Sequence, residues 1–421
     1  MSCRVAIIGS GISGLTAGWL LGKKHQVTIF ERGDRLGLGH HGCEIDVDGR
    51  KTWIDIPPRI TNAIHYPSLF GLLEELGLQT FSVKQQASFS ELSGKTYLSF
   101  RTVTLGKLAP TFPKLGFSTA LWLTRYSSDL VRFFSMLWWT DLERVPAVTL
   151  KAFLHQNRFD RELIHRFLYP MWALICTCDV ESLERFPAKD MMKIFYSFTS
   201  VTATKRIRGG VRAFEKAIIG HVDQVRLNHA VESIVDHGDQ ISVCHSSGEE
   251  SFDHVVLGTQ PHRASLLLKS SFSEERECLE SVPATDAKMV IHTDSNLMPK
   301  RQCDWTAINL FWDKKQEQAT ATMWMNQLES KSLGRQNIFQ SWQPLLPIQS
   351  EKILGEVTLQ RSLVNSISER RMKKLRRMMT SEKKRRLWFV GSYVVEGVPL
   401  LENGVRAARL VAELIEKQHK R

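Results

Sequence analysis

One unit close to the N-terminus constrains this chain more than any other feature in it. Arg4-Val5-Ala6-Ile7-Ile8 reads as a short β-branched strand, and Gly9-Ser10-Gly11-Ile12-Ser13-Gly14 as a glycine turn. Residues 14–22 read as a helix, and Val27-Thr28-Ile29-Phe30 as a second strand ending at Glu31. Strand, glycine turn, helix, strand and acid in this order make a parallel βαβ unit. Gly9 allows the tight turn, Gly11 lets the backbone approach a pyrophosphate, and Gly14 lets the helix pack against the sheet. The free N–H groups and positive dipole end of the helix then face the phosphates. Glu31 lies 20 residues after Gly11, where a carboxylate can accept hydrogen bonds from a ribose diol and disfavours a 2′-phosphate. The triplet does not by itself tell FAD from NAD.

A chain of 421 residues is too long for one core, so more than one domain is expected. Residues 225–257 alternate like strands, with turns at Asp236-His237-Gly238-Asp239 and Ser246-Ser247-Gly248-Glu249, which predicts a β-meander feeding a buried strand at His254-Val255-Val256-Leu257. Leu387-Trp388-Phe389-Val390 reads as another buried strand, followed by a helix from about Val405 to Gln418. The stretches between have helical periodicity and many aromatic residues. The expected class is therefore α/β: a nucleotide domain from 1–70, 201–270 and 385–421, and a second domain inserted as 71–200 and 271–384. No fixed-period repeat is present.

The N-terminus lacks the pattern of a secretory signal, which predicts a cytoplasmic protein. Seven scattered cysteines argue for reduced thiols rather than a disulfide framework. No cluster has metal-ligand spacing, and no P-loop or Gly-x-Ser-x-Gly elbow occurs, so no metal is expected. The net charge of +12 suggests a polyanionic neighbour. Ten Lys or Arg fall in residues 369–386, a run that suits a solvated helix face, a membrane headgroup patch or nucleic acid, of which nucleic acid is not expected. Residues 115–139 carry Leu121-Trp122-Leu123 and Met136-Leu137-Trp138-Trp139, interrupted by Arg125, Asp129 and Arg132. They are too charged to span a bilayer, and fit either a helix buried in the second domain or one lying in a membrane interface.

Beyond the first unit the chain resembles the flavin-containing amine oxidase superfamily, which includes protoporphyrinogen oxidases and carotenoid desaturases. Glu31-Arg32-Gly33-Asp34-Arg35-Leu36-Gly37-Leu38-Gly39-His40 is similar to that family's segment of Glu, spacer, Arg-Leu and paired glycines, with Leu38 standing between glycines the family pairs. Gly391-Ser392-Tyr393 after the late strand, with Gly397-Val398-Pro399 and Glu402-Asn403-Gly404-Val405-Arg406-Ala407-Ala408, resembles its second FAD motif. Val231 resembles the residue whose backbone holds adenine, and Asp253 to Thr259 the strand that closes the nucleotide domain. The resemblance implies a Rossmann-like, glutathione-reductase-like domain holding FAD without a covalent bond. The implied cofactor residues are Gly9, Gly11, Ile12, Ser13, Gly14, Glu31, Arg32, Gly37, Gly39, His40, Val231, Thr259, Gly391, Ser392, Asn403, Gly404 and Val405. The second domain would be an inserted α+β substrate domain.

Asp55, Asn62, His65-Tyr66-Pro67, Pro170-Met171-Trp172-Ala173 and Arg208-Gly209-Gly210 resemble more narrowly a bacterial subgroup of amine-oxidase-like proteins associated with cyclopropane or methyl-branched fatty-acid biosynthesis. The resemblance implies hydride abstraction by FAD from a C–H bond of a hydrophobic substrate, a lipid acyl chain among the choices. Lys288 is the nearest match to the lysine that positions water beside flavin in amine oxidases; His65, Tyr66 and His292 are possible acids or bases. A true amine oxidase, a flavin-dependent double-bond isomerase and a non-catalytic FAD-binding protein remain open. Peripheral contact with an anionic membrane, on its inner face, is the further expectation.

Overall fold

The computed structural model describes residues 2–84, 86–103, 110–198, 204–329, 333–381 and 384–419. Its first sheet is entirely parallel, in the order Gln224–Arg226, Gln26–Phe30, Arg4–Ile8, His254–Leu257, Leu387–Phe389. Buried parallel strands read as continuous apolar runs rather than alternations, and His254–Leu257 and Leu387–Phe389 are buried at every position. The helix Ile12–Gly22 follows the first strand, and the C-terminal helix Leu401–His419 packs against it.

Val231–Asp236, Ile241–His245 and Gly248–Phe252 form the expected meander. The segment before it differs from expectation, because Gln224–Arg226 joins the edge of the parallel sheet instead. Asn228 N–H donates to Gly33 O at 2.8 Å and His229 N–H to Glu31 O at 2.9 Å, so the start of the meander is set against the end of the second strand.

An eight-stranded mixed sheet makes the second layer. Its order is Ile353–Ser362, Ala284–His292, Phe339–Trp342, Gln318–Trp324, Ile308–Asp313, Ala87–Glu91, Thr96–Thr102, Thr111–Pro113. Every neighbouring pair is antiparallel except Ile308–Asp313 with Ala87–Glu91. Helices from Phe117 to Phe198 pack about it, around an aromatic core that includes Phe133, Phe167, Trp172 and Phe195. All strands of the parallel sheet come from residues 1–70, 201–270 and 385–421, and all strands of the mixed sheet from 71–200 and 271–384.

Two charged or aromatic stretches differ from their sequence reading. The apolar stretch near 115–139 is two helices, Phe117–Arg125 and Ser127–Trp139, broken at Tyr126, and each leaves one apolar face uncovered. Four cations of the basic run are ion-paired, while Arg370, Lys373, Arg377 and Lys384 are exposed with no ion pair among the described residues. Arg371 meets Glu277 at 2.6 Å, Lys374 meets Glu274 at 2.7 Å, Arg376 meets Glu396 at 2.9 Å, and the buried Arg385 meets Glu275 at 2.9 Å. Arg371 and Lys374 thus join the helix Ser366–Ser381 to the helix Ser273–Glu280.

Candidate functional site

The glycine turn folds as the spacing requires. Gly9 has φ +97, a left-handed conformation that glycine adopts without steric cost. A Cβ on Gly14 would stand 2.0 Å from Gly9 O, so the helix can start here only without a side chain. Gly11 is different: a Cβ there would meet nothing within 4 Å. Its open side borders a cavity of about 330 Å³ between the two layers.

Glu31 has a second task beside the one its spacing suggests. Its Oε2 accepts from Ser10 N–H at 3.0 Å and Ser10 Oγ–H at 2.6 Å, and its Oε1 from Gly33 N–H at 2.9 Å. Ser10 Oγ accepts from Gly37 N–H at 2.7 Å. The acid therefore ties both glycine segments together and keeps part of its acceptor capacity for a ligand. Gly39 N–H donates at 2.7 Å to Glu215, whose carboxyl burial raises to about 7.

Of the expected cofactor residues, Gly11, Ile12, Ser13, Gly37, Thr259, Gly391 and Ser392 line the cavity. Gly9, Gly14 and Gly39 shape its backbone from behind, and Asn403, Gly404 and Val405 are buried at the start of the helix that backs it. A Cβ on Gly404 would come 2.6 Å from Ile12 Cγ2, so the two helix starts meet there in direct contact. Glu31 and Val231 are half-buried and outside the lining, while Arg32 and His40 are exposed. His40 Nδ1 lies 4.0 Å from Asp34.

The proposed reacting residues separate. Tyr66 is buried and lines the cavity, with no hydrogen bond from its hydroxyl to another described residue. Burial pushes its phenol above the ordinary tyrosine value, so it stays protonated and can donate. His65 stacks edge-on to Tyr66 at 4.9 Å but does not line the cavity, and burial pulls its imidazole down to about 4.

Lys288 is a correction. It is exposed and its Nζ pairs with Glu356 at 2.9 Å on the outer face of the sheet. Side chains alternate along a strand, so the inward position belongs to its neighbour Met289, which lines the cavity. His292 is likewise structural: it is buried, its Nδ1 accepts from Asp294 N–H at 3.1 Å, and its Nε2 faces Ser341 Oγ at 2.8 Å.

Two arginines at the cavity lie outside the residues singled out from the sequence. Arg59 follows Pro57-Pro58 with φ 49, uncommon for a non-glycine residue, and donates to Leu38 O at 2.8 Å while its buried Nε finds no partner among the described residues. Burial pulls it down to about 10. Arg361 projects from the strand Ile353–Ser362 beside Tyr66, Cys176 and Cys178, and no carboxylate among the described residues pairs with it. The Pro-Pro doublet could have flagged Arg59; nothing local marks Arg361, which reaches the site only through sheet pairing. With the glycine backbone on one wall and two guanidinium groups on another, the cavity suits an anionic dinucleotide carrying a ring that gains negative charge on reduction.

A second cavity of about 420 Å³ opens beside the first, sharing Ile60, Leu174, Ile175 and Ile308 with it. Its walls are Val83, Phe89, Phe100, Phe112, Phe134, Trp138, Phe167, Met171 and Phe195, with Lys84, Gln86, Thr111 and Thr204 the polar residues. Among the described residues, no Asp, Glu or His lines either cavity.

Elsewhere the fold gathers Cys3, His254 and His419, residues far apart in sequence. His419 Nε2 lies 3.3 Å from Cys3 Sγ and 2.9 Å from His254 Nε2. Trp388 Nε1, which can only donate, points at His254 Nδ1 at 3.2 Å, so the neutral ring carries its proton on Nε2. A metal would need that lone pair, and the cluster is a hydrogen-bond chain.

The sequence model of the flavin containing amine oxidoreductase family matches residues 12–326, well over half of the chain. No curated protein matches it. Among solved structures, a protein from Exiguobacterium sp. 255-15 described as a protoporphyrinogen oxidase is 14% identical, with 100% of each chain covered and a TM-score of 0.67. The CLA-producing fatty acid isomerase from P. acnes is 14% identical over 99% of this chain and 98% of that one, with a TM-score of 0.63. Cyclohexylamine oxidase from Brevibacterium oxydans IH-35A is 13% identical over 100% of both, at 0.64. At such identities these likenesses speak for the fold, a Rossmann-like FAD-binding domain carrying a substrate domain. The family match adds the class of activity: the chain belongs to the flavin-containing amine oxidoreductase family, as a flavin-dependent oxidoreductase.

Proposed function

We propose that the protein removes a hydride from a C–H bond of a hydrophobic substrate, a lipid acyl chain, and holds FAD noncovalently. The observation that carries this reading is the apolar cavity that opens off the cofactor cavity. Its size falls within the range of small-molecule pockets, roughly 300–1,000 Å³. Each methylene it takes from water contributes about 0.8 kcal/mol, so an alkyl chain gains its affinity from walls of this kind.

Bound flavin supplies the hydride acceptor. The chain's own residues do the rest: Phe89, Phe167 and Leu174 exclude water, and Arg59 and Arg361 hold positive charge where reduction adds negative charge. Desaturation must also release a proton from the neighbouring carbon. Tyr66, a cavity-facing hydroxyl that burial keeps protonated, would relay it by giving its own proton to solvent water as it takes the one from carbon. Tyr66→Phe is expected to lower turnover by about 10²-fold or more, the usual scale for a lost acid–base group, with flavin content unchanged.

Amine oxidation, the activity named for cyclohexylamine oxidase, fits less well, since two guanidinium groups and, among the described residues, no carboxylate face the cavities. The isomerase reading uses the same cavity and is separated by experiment. Visible absorbance of the purified protein is followed anaerobically after lipid extract is added. Lasting bleaching of the flavin supports oxidation, turnover without any acceptor supports isomerisation, and bleaching by amines alone would overturn the lipid reading. No bleaching by either class, together with no isomerised product, would leave a binding protein.

A further inference from the structure

The helices that follow the mixed sheet leave one apolar face uncovered. Phe112, Leu115, Phe117, Leu121, Trp138 and Trp139 stand out into solvent, with Leu115, Phe117 and Trp139 exposed by 86, 87 and 81%. Single exposed leucines need no explanation, but most of the large apolar side chains exposed among the described residues fall between residues 103 and 139. Helical periodicity arranges them. Phe117–Arg125 buries Trp122 and turns Phe117 and Leu121 outward; Ser127–Trp139 buries Phe133 and Leu137 and turns out Val131 and Trp139.

Two further observations bear on what covers this face. Phe112 and Trp138, each about half exposed, also line the apolar cavity, so the cavity opens through the patch. Three exposed cations flank it without an ion-pair partner among the described residues. Lys84 lines the same cavity, Arg101 stands opposite Phe112 in the strand register, and Arg125 ends the helix that carries Phe117 and Leu121.

We propose that this face docks on an anionic lipid bilayer, with Trp138 and Trp139 at headgroup depth and the cavity mouth turned toward the acyl chains. Tryptophan suits that depth because its ring is apolar and its N–H is wet. The three cations meet lipid phosphates, an attraction that salt screens. No described helix is long and apolar enough to cross a membrane, so the attachment is interfacial, to one leaflet. A protein seated on the same face would cover the mouth, whereas a bilayer delivers an alkyl chain to it without passage through water. The use of the mouth rests on the acyl-chain reading above; the docking surface can be tested without turnover.

The test is flotation of the full-length, flavin-loaded protein with vesicles of phosphatidylcholine, with and without phosphatidylglycerol. The protein is expected to float with the anionic vesicles at low salt and less as salt rises. The triple variant Leu115→Ser, Phe117→Ser, Trp139→Ser is expected to lose partitioning by at least about tenfold while keeping its melting temperature and flavin, since the side chains it trims are exposed. Lys84→Glu with Arg101→Glu and Arg125→Glu is expected to weaken binding to the anionic vesicles alone. Failure of the wild type to float, or flotation of the triple variant equal to it, overturns the proposal. So does a vesicle-free dimer that the triple variant abolishes, which would make the face a self-association surface. Flavin reduction by detergent-dispersed lipid is read separately, so flotation without reduction removes the substrate reading and leaves the docking, and the reverse result removes the docking alone.

Discussion

At the scale of single residues, the glycine turn offers a contrast between space the protein uses and space it keeps open. Gly14→Ala drives a Cβ into Gly9 O, and the helix must move, a distortion that costs about 1–3 kcal/mol by the measure of overpacked sites. It should lower the melting temperature and abolish flavin binding together. Gly11→Ala meets no protein atom and has an ordinary φ of −69, so it should leave the melting temperature of the flavin-free protein unchanged and weaken flavin binding alone. Thermal melts with flavin titration separate the two. Arg361→Met tests the unpaired cation: losing a charged hydrogen bond of about 1.5–3 kcal/mol to reduced flavin would lower a two-electron potential by about 30–60 mV. An unchanged midpoint in a spectroelectrochemical titration would remove Arg361 from the flavin's surroundings.

At the scale of elements, a buried charge network joins the two layers. Asp55 Oδ1 accepts from Trp53 Nε1 at 3.1 Å and its Oδ2 from Val211 N–H at 3.0 Å, at the start of the helix Gly210–Ile218. Arg206, on the strand Thr204–Ile207, lies 3.7 Å from the same oxygen and donates to Glu329 at 2.7 Å and Leu328 O at 2.8 Å. Arg206→Met would leave the buried Asp55 and the half-buried Glu329 without their cation, a loss of about 3–5 kcal/mol that urea denaturation should register as a lower midpoint. Asp55 drew attention in the sequence through its resemblance, but its work is to hold elements together. Strand alternation decided the fate of Lys288 in the same way, since one step along Ala284–His292 exchanges the cavity for solvent. Composition could not show which cations near Ser366–Ser381 are paired, because the acids that meet Arg371 and Lys374 lie on another helix.

At the scale of the whole molecule, buried histidines set a limit on acid stability. Burial pulls both His254 and His292 down to about 4 from an ordinary value of 6.5. The unfolded chain takes up those protons near pH 6.5 and the folded protein resists them, so unfolding binds protons as pH falls. Stability from these groups is complete above about pH 6.5 and is lost progressively toward pH 4, at up to about 1.4 kcal/mol per pH unit for each. Urea midpoints should fall across that window, and His292→Gln should flatten the slope. A midpoint independent of pH there would mean that the rings are solvated.

What the sequence by itself determined is what short-range rules control. Glycine spacing, strand alternation and an acid at a strand end act over a few residues, and these gave the βαβ unit, the meander and the backbone of the cofactor cavity. The tertiary structure alone decided the side chains around the reacting space. Tyr66, Leu174, Met289 and Arg361 come from four distant segments, and no local pattern says that sheet register and helix packing will bring them to one cavity. The same holds for the apolar face. A buried helix and an interfacial helix share one periodicity, and only the packing of Trp122, Phe133 and Leu137 inward showed which side was left uncovered.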